Sequence, residues 1–268
     1  MKCDDMDIIS QKKVADLIEY TTAKYFLILG QLNNDEVCDR SEIKYIFTKN
    51  WFNRIFMANF NESDASANIE QIVSKIKKLN LSVSWYVTPQ SRPANLQNLL
   101  KDHGFTYQED WKSMAIDLKT IPEKFNIPEG MAIKEVLNLE ELKTWTDVLV
   151  NSFEFPKIVG SYKKYFINAG IQNLNFKYYL GLFNGNPAAS AVLFNGERAA
   201  GLFYIGTAPE FRRKGIAQAM VYHILNEAKN KGYNISILQA SEMGHQLYKK
   251  IGFKEYYYTK IYRYQKQF

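Results

Sequence analysis

Cysteine is almost absent: Cys3 and Cys38 are the only two in 268 residues. No disulfide framework follows, and a reducing, cytoplasmic setting is expected. Cys3 is expected in a loose N-terminal stretch and Cys38 in a polar loop. Histidine is nearly as scarce, with His103, His223 and His245 at no metal-ligand spacing, so no metal is expected. No apolar run approaches the ~20 residues of a membrane span. The first residues, Met1-Lys-Cys-Asp-Asp-Met-Asp7, carry acid where a signal peptide needs an apolar core. No membrane partner is expected. Basic residues are not massed either. The net charge is +6, and Lys75-Ile-Lys77-Lys78 reads as a solvated helix face, so no nucleic-acid partner is expected.

What remains is ample core material, 46% hydrophobic and 15% aromatic, in a length that suits two domains. Lys119-Thr-Ile-Pro122 through Pro128-Glu-Gly130 breaks any regular element and marks the boundary. The division expected is residues 1–120, a linker at 121–129, and residues 130–268.

The second domain reads as strand 131–136, a helix bearing Leu139, Leu142, Trp145, Val148 and Leu149, and a second helix over 161–169. Strands 176–183, 188–194 and 199–207 follow, joined at Asn184-Gly185 and Asn195-Gly196, dipeptides that favour hairpin turns. After Pro209 comes Arg212-Arg213-Lys214-Gly215-Ile216-Ala217. Then Met220, Val221, Ile224, Leu225 and Ala228 recur at helical steps. A basic, glycine-containing turn thus joins a strand to a helix start. Free N–H groups and the helix dipole there make an anion site, and Gly215 has no Cβ to keep a phosphate away. A buried strand, 235–240, a helix ending in Leu247-Tyr248-x-x-x-Gly252-Phe253, and an aromatic strand, 256–264, follow.

This order resembles the GNAT acetyltransferase superfamily. Arg212-x-x-Gly215-x-Ala217 matches that family's acyl-CoA signature, Thr207-Ala-Pro209-Glu-Phe-Arg212 its lead-in, and Leu247-Tyr248-x-x-x-Gly252-Phe253 its terminal motif. The resemblance covers about residues 129–268. It implies a mixed α/β fold with a largely antiparallel central sheet flanked by helices and splayed in its middle. It implies acetyl-CoA as co-substrate, held by Ile205, Gly206, Thr207, Arg212, Arg213, Lys214, Gly215, Ile216, Ala217 and Ser241. It also implies a bulge in the strand ending at Thr207, for which Gly206 is the plausible weak point. Tyr248 is the general-acid candidate, its hydroxyl near the CoA sulfur.

The first half repeats the tail of the second in order. Helix 68–79, strand 81–87, a helix closing at His103-Gly104-Phe105 and strand 111–118 follow one another. Two GNAT-like folds in tandem are expected. In the first, Asn59-Phe-Asn-Glu62-Ser-Asp64 stands where the phosphate turn would be, and Leu99-Leu100 where the second half has Leu247-Tyr248. Acids there repel a pyrophosphate, so this repeat is expected to be degenerate, walling the substrate cleft or mediating a homodimer.

The strand 201–207 carries no acid, so the general base stays open. Glu197 reads as a solvated turn residue. Glu154, between Phe153 and Phe155, is either a site for a cationic amine or a helix-end surface residue. An ordered water would need no base side chain at all. The function expected is N-acetylation of a small-molecule amine. The alternatives are a non-catalytic acyl-CoA-binding regulator and an aminoacyl-tRNA-dependent transferase.

Overall fold

The structure, a computed structural model, describes residues 3–48, 52–153 and 159–266. In chain order the elements are α1 (Cys3–Leu32), β1 (Glu36–Asp39), β2 (Lys44–Phe47), β3 (Arg54–Phe56), α2 (Ala65–Lys78), β4 (Val83–Val87), α3 (Leu96–Asp102) and β5 (Thr106–Asp117). Then come β6 (Met131–Glu135), α4 (Leu139–Ser152), α5 (Val159–Ala169), β7 (Phe176–Phe183), β8 (Asn186–Asn195), β9 (Ala200–Thr207), α6 (Ile216–Asn230), β10 (Ile235–Ala240), α7 (Glu242–Ile251) and β11 (Lys254–Tyr264). They form two compact units. Unit 1 is Met1–Ser113, Ala240–Glu242 and Glu255–Phe268; unit 2 is Met114–Gln239 and Met243–Lys254.

In unit 1 the strands run β1-β2-β3-β4-β11-β5. The β2–β3 and β1–β2 pairs are antiparallel, β3–β4 is parallel across α2, and β4–β11 is antiparallel from Val83↔Tyr264 to Val87↔Lys260. The core gathers Ile69, Val73 and Ile76 of α2, Leu96 and Leu100 of α3, and Trp85, Phe105, Tyr262 and Tyr264. These compact units cut the chain differently from the division expected at 121–129. The last strand belongs to the first unit, because Tyr262 and Tyr264 fill its core and β4 needs a partner on that edge. The 121–129 segment falls within unit 2, with Phe125 stacked on Tyr222 at 5.5 Å. Cys3 opens α1, and Cys38 sits on β1 with its thiol donating to the Ile43 carbonyl at 3.8 Å.

Glu19 of α1 is buried at 8% exposure. Thr88 Oγ1 donates to its carboxylate at 2.7 Å. Burial pushes the Glu19 carboxyl above its ordinary value, the Thr88 hydrogen bond pulls it partly back, and the Asp16 charge adds to the rise. Between the unfolded and folded pKa values the native state keeps a proton that the unfolded state has lost. Stability therefore falls as pH rises through that window. Glu19→Gln keeps an acceptor for Thr88 and has no charge to bury. It is expected to raise Tm near neutral pH, by roughly 2–4 °C per kcal/mol recovered, and to leave it unchanged near pH 4, where both states are protonated. Thermal melts at the two pH values check this.

In unit 2 residues 114–117 of β5 lead into the strand order β10-β9-β8-β7-β6. The β6–β7, β7–β8 and β8–β9 pairs are antiparallel; β9–β10 is parallel across α6. Asn138 caps α4 by accepting from the Glu141 N–H, and Glu141 accepts from the Leu137 N–H, both at 2.9 Å. This reciprocal pairing satisfies donors at the helix start. Asn184 (φ 49°) and Gly185 (φ 77°) form the expected mirror-image hairpin turn. The turn expected at Asn195-Gly196 is wider, because β8 includes Asn195 and β9 starts only at Ala200.

Candidate active site

Four local features converge on the end of β9. The first is a bulge. Ser190 pairs with Gly206, whereas Val192 pairs with Phe203, so Tyr204 and Ile205 together face Ala191. The extra residue falls at Tyr204–Ile205 and not at Gly206. Tyr204 takes a φ of +50°, a left-handed conformation that costs an ordinary side chain. Gly206 has a different task. A Cβ on it would lie 2.6 Å from Ser152 Cβ and 2.9 Å from Phe153 Cε2. Its bare Cα lets the end of α4 lie against β9.

The second feature is the splay. β9 and β10 pair only at Ala200↔Ser236 and Gly201↔Ile237. Toward the end of β9, Ile205, Gly206 and Thr207 have no ladder pairing to β10 among the described residues. An extended amide-bearing chain can add to such an edge as a further strand would. Unit 1 shows the contrast. β3 and β4 also pair in parallel, at Ile55↔Trp85. Beyond that pair, however, Arg92 N–H donates to Ala58 C=O at 2.8 Å and Phe60 N–H to Arg92 C=O at 3.2 Å. The corresponding gap is laced shut.

The third feature is the turn before α6. Arg213 (φ 65°) and Gly215 (φ 78°) are both left-handed. The first bond into the helix is Ala219 N–H to Gly215 C=O at 3.1 Å. The N–H groups from Arg213 to Gln218 therefore have no hydrogen-bond partner among the described residues. Consecutive N–H groups in such a turn form a concavity for an anion, reinforced by the helix dipole. Arg213 and Lys214 are exposed beside it. Lys214 Nζ rests over the Phe183 ring at 5.0 Å and Phe211 at 5.6 Å. Arg212 is used differently. Its guanidinium donates to Thr207 C=O at 3.2 Å and to Ser152 C=O at 2.9 Å, tying the end of β9 to the end of α4. Beside that tie, Ser152 Oγ and Thr207 Oγ1 are buried with no hydrogen-bond partner among the described residues.

The fourth is Tyr248 on α7, at 8% exposure. Its ring sits edge-on to Phe253 at 5.8 Å, and Gly244 makes room for it: a Cβ there would lie 2.8 Å from Tyr248 Cε2. Burial pushes its phenol well above the ordinary value, so the neutral, proton-bearing form is kept. Tyr248 makes no hydrogen bond or ring contact with β9 or the turn among the described residues.

Of the residues singled out from sequence, Ile205, Gly206, Thr207 and 212–217 lie on one continuous stretch of unit 2, and Tyr248 is in the same unit. Ser241 is exposed in the short segment 240–242 assigned to unit 1. Glu154 lies outside the described residues. Glu197 is exposed at the opposite end of β9, roughly 20 Å of strand from the bulge. The sequence reading missed Ser152, Ser190 and Tyr204. Only Ser190 left a signal, as the one hydroxyl in the apolar run Ala188–Phe194.

Residues 137–256 match the family model described as an acetyltransferase (GNAT) domain. The chain carries a GNAT acetyltransferase domain. A GCN5-related N-acetyltransferase from Kribbella flavida superposes with a TM-score of 0.71 at 13% identity, over 92% of this chain and 94% of that one. One from Sphaerobacter thermophilus gives 0.64 at 14% identity, over 84% and 77%. A tandem GNAT protein from the clavulanic acid biosynthesis pathway gives 0.59 at 10% identity, over 84% and 78%. At these identities the likeness is one of fold. Among the curated proteins none matches in sequence. The family is one of acyl-CoA-dependent acetyltransferases, and the open splay, the bulge and the unpartnered N–H groups of the GNAT domain fit such a donor. Among the described residues no cluster of three His, Cys, Asp or Glu is placed to hold a metal ion, and no helix is long and apolar enough to cross a membrane.

Proposed function

We propose that this protein transfers the acetyl group of acetyl-CoA to the amine of a small-molecule acceptor, with unit 2 as the catalytic GNAT domain. The observation that carries the reading is the run of unpartnered N–H groups from Arg213 to Gln218, reached across Gly215. That run would hold the pyrophosphate, with Arg213 and Lys214 adding charge. Acetyl-CoA supplies an activated thioester. The chain's part is to hold and polarise it through N–H groups of Ile205, Gly206 and Thr207 on the free edge of β9. The Tyr248 phenol, kept neutral by burial, is the proton donor to the departing sulfur. With no acid on β9, the incoming amine's proton is taken by water, for which Ser152 Oγ and Thr207 Oγ1 are buried acceptors without a partner among the described residues. Isothermal titration with acetyl-CoA, followed by an amine-library screen for free thiol release, tests the reading. Binding without turnover of any amine would favour a CoA-binding regulator.

Unit 1 is the degenerate repeat of the tandem. Its parallel β3–β4 pair spans α2 as β9–β10 spans α6, and its Phe105 N–H bonds to Leu100 C=O at 2.9 Å as Phe253 N–H bonds to Tyr248 C=O at 3.0 Å. Leu100 thus stands in Tyr248's place without a hydroxyl. The Arg92 backbone bonds close its splay, and Asp64 heads α2 with a negative charge. One acetyl-CoA per chain is expected. A titration giving two equivalents would sink this assignment.

A further inference from the structure

Bulges need support, and the support here is specific. Ala188, Ala189, Ala191, Val192 and Leu193 of β8 are all at 0% exposure, and so is Ser190 among them. A hydroxyl buried in an apolar run is costly unless it is hydrogen-bonded. Ser190 Oγ donates to Tyr204 C=O at 3.2 Å. Tyr204 is the residue with φ +50° that opens the bulge. A left-handed non-glycine residue persists only where its surroundings over-determine it. Those surroundings can be named. Phe166 and Phe153 set their rings edge-on to Tyr204 at 5.1 and 6.2 Å. Across from the bulge, Trp145 Nε1 donates to Ala191 C=O at 3.2 Å, which fixes that point of β8 to α4. Of these partners, Ser190 is the one that holds the bulged backbone itself by a hydrogen bond.

We infer that Ser190 is a positioning residue: by holding the Tyr204 carbonyl it presets the β9 bulge and so aims the Ile205 N–H at the thioester carbonyl. This rests on the acetyl-transfer reading above. Without the Ser190 hydroxyl, β9 can relax toward regular pairing, and a one-residue slip turns each following group to the opposite side. The N–H of Ile205 then misses its target, while the α6 turn and its anion site are untouched.

Three measurements test this on the full-length protein. In the ligand-free protein, Ser190→Ala should shift the amide resonances of Tyr204, Ile205 and Gly206 and leave those of Arg213–Gln218 in place. In the wild type, acetyl-CoA should move the Ile205 amide and CoA without the acetyl group should not. In steady-state kinetics, Ser190→Ala should lower kcat by about 10–100-fold, as expected for a misplacement near 1 Å, with the Kd for CoA within about twofold of wild type. Ser190→Cys retains a weak donor and should recover part of kcat; it is also the variant to read if Ser190→Ala does not fold. A wild-type kcat in Ser190→Ala overturns the inference, as does an equal loss of CoA affinity, which marks a merely structural role. Wild-type protein that binds acetyl-CoA without moving the Ile205 amide also overturns it, yet leaves the donor assignment standing. Wild-type protein that binds no acetyl-CoA removes the functional reading instead. The ligand-free resonance shifts would then still report whether Ser190 holds the bulge.

Discussion

Gly215→Asp is expected to weaken acetyl-CoA binding by roughly two to three orders of magnitude, about 3–4 kcal/mol. Two independent costs add. Gly215 has a φ of +78°, and a Cβ on it would approach Pro128 Cγ to 3.3 Å. Any side chain there is strained by about 1–2 kcal/mol, and the free variant relieves that strain by relaxing the turn, so binding must restore it. The carboxylate then sits against the pyrophosphate in a partly dry site, where like charges a few ångströms apart repel by several kcal/mol. Gly215→Ala separates the terms, since it carries the strain and no charge, and should lose about tenfold. Isothermal titration of the two variants reads both. Unchanged affinity in the aspartate variant would mean that the pyrophosphate lies elsewhere.

Tyr248→Phe is expected to lower turnover by about 10²–10⁴, the usual contribution of a general acid, while acetyl-CoA affinity holds. The substitution keeps the ring that packs on Phe253 and deletes only the hydroxyl. The structure changes the proton balance suggested by unperturbed values. A free thiol and a free phenol differ little, at about 8.5 and 10, but burial lifts the Tyr248 phenol further. Outright transfer to a free thiolate is thus uphill. Donation is favoured as the sulfur leaves and charge builds on it. The sign for pH follows: the donor form is the neutral phenol, present below its pKa, and that pKa has moved up. The pH–rate profile should therefore show no alkaline limb from Tyr248 up to about pH 10. An alkaline limb lost in Tyr248→Phe would contradict the burial argument. A wild-type rate in that variant would return Tyr248 to the core.

The site was legible where residue type alone fixes local geometry. Gly215 after three basic residues, ahead of helical spacing, announced the α6 turn, and Asn184-Gly185 announced its hairpin. Gly252-Phe253 marked the end of α7. What could not be read depended on partners distant in sequence. The bulge falls at Tyr204, whose conformation is imposed by Ser190, Phe153 and Phe166 and not by its own chemistry. Arg212 looked like a ligand residue, yet its guanidinium is bound to Ser152 and Thr207 carbonyls. In α1, Tyr25, Phe26, Leu27 and Leu29 are all buried, so no single apolar stripe marks the helix. The place of β11 was hidden for a different reason. Its alternating pattern says that one face is buried, and nothing in it says against which sheet.

That place has a consequence for how the protein is made. Ser82 and Lys266 are hydrogen-bonded partners 184 positions apart, both in unit 1. During synthesis, β4 with Trp85 and Tyr86 emerges long before β11, the strand that will flank it. Until then it presents an open edge, the kind of surface that invites mispairing with another chain. Every segment of unit 2 lies between Met114 and Lys254. The first unit is therefore the last to receive all of its strands, and its β4 edge stays open through the synthesis of the whole second unit.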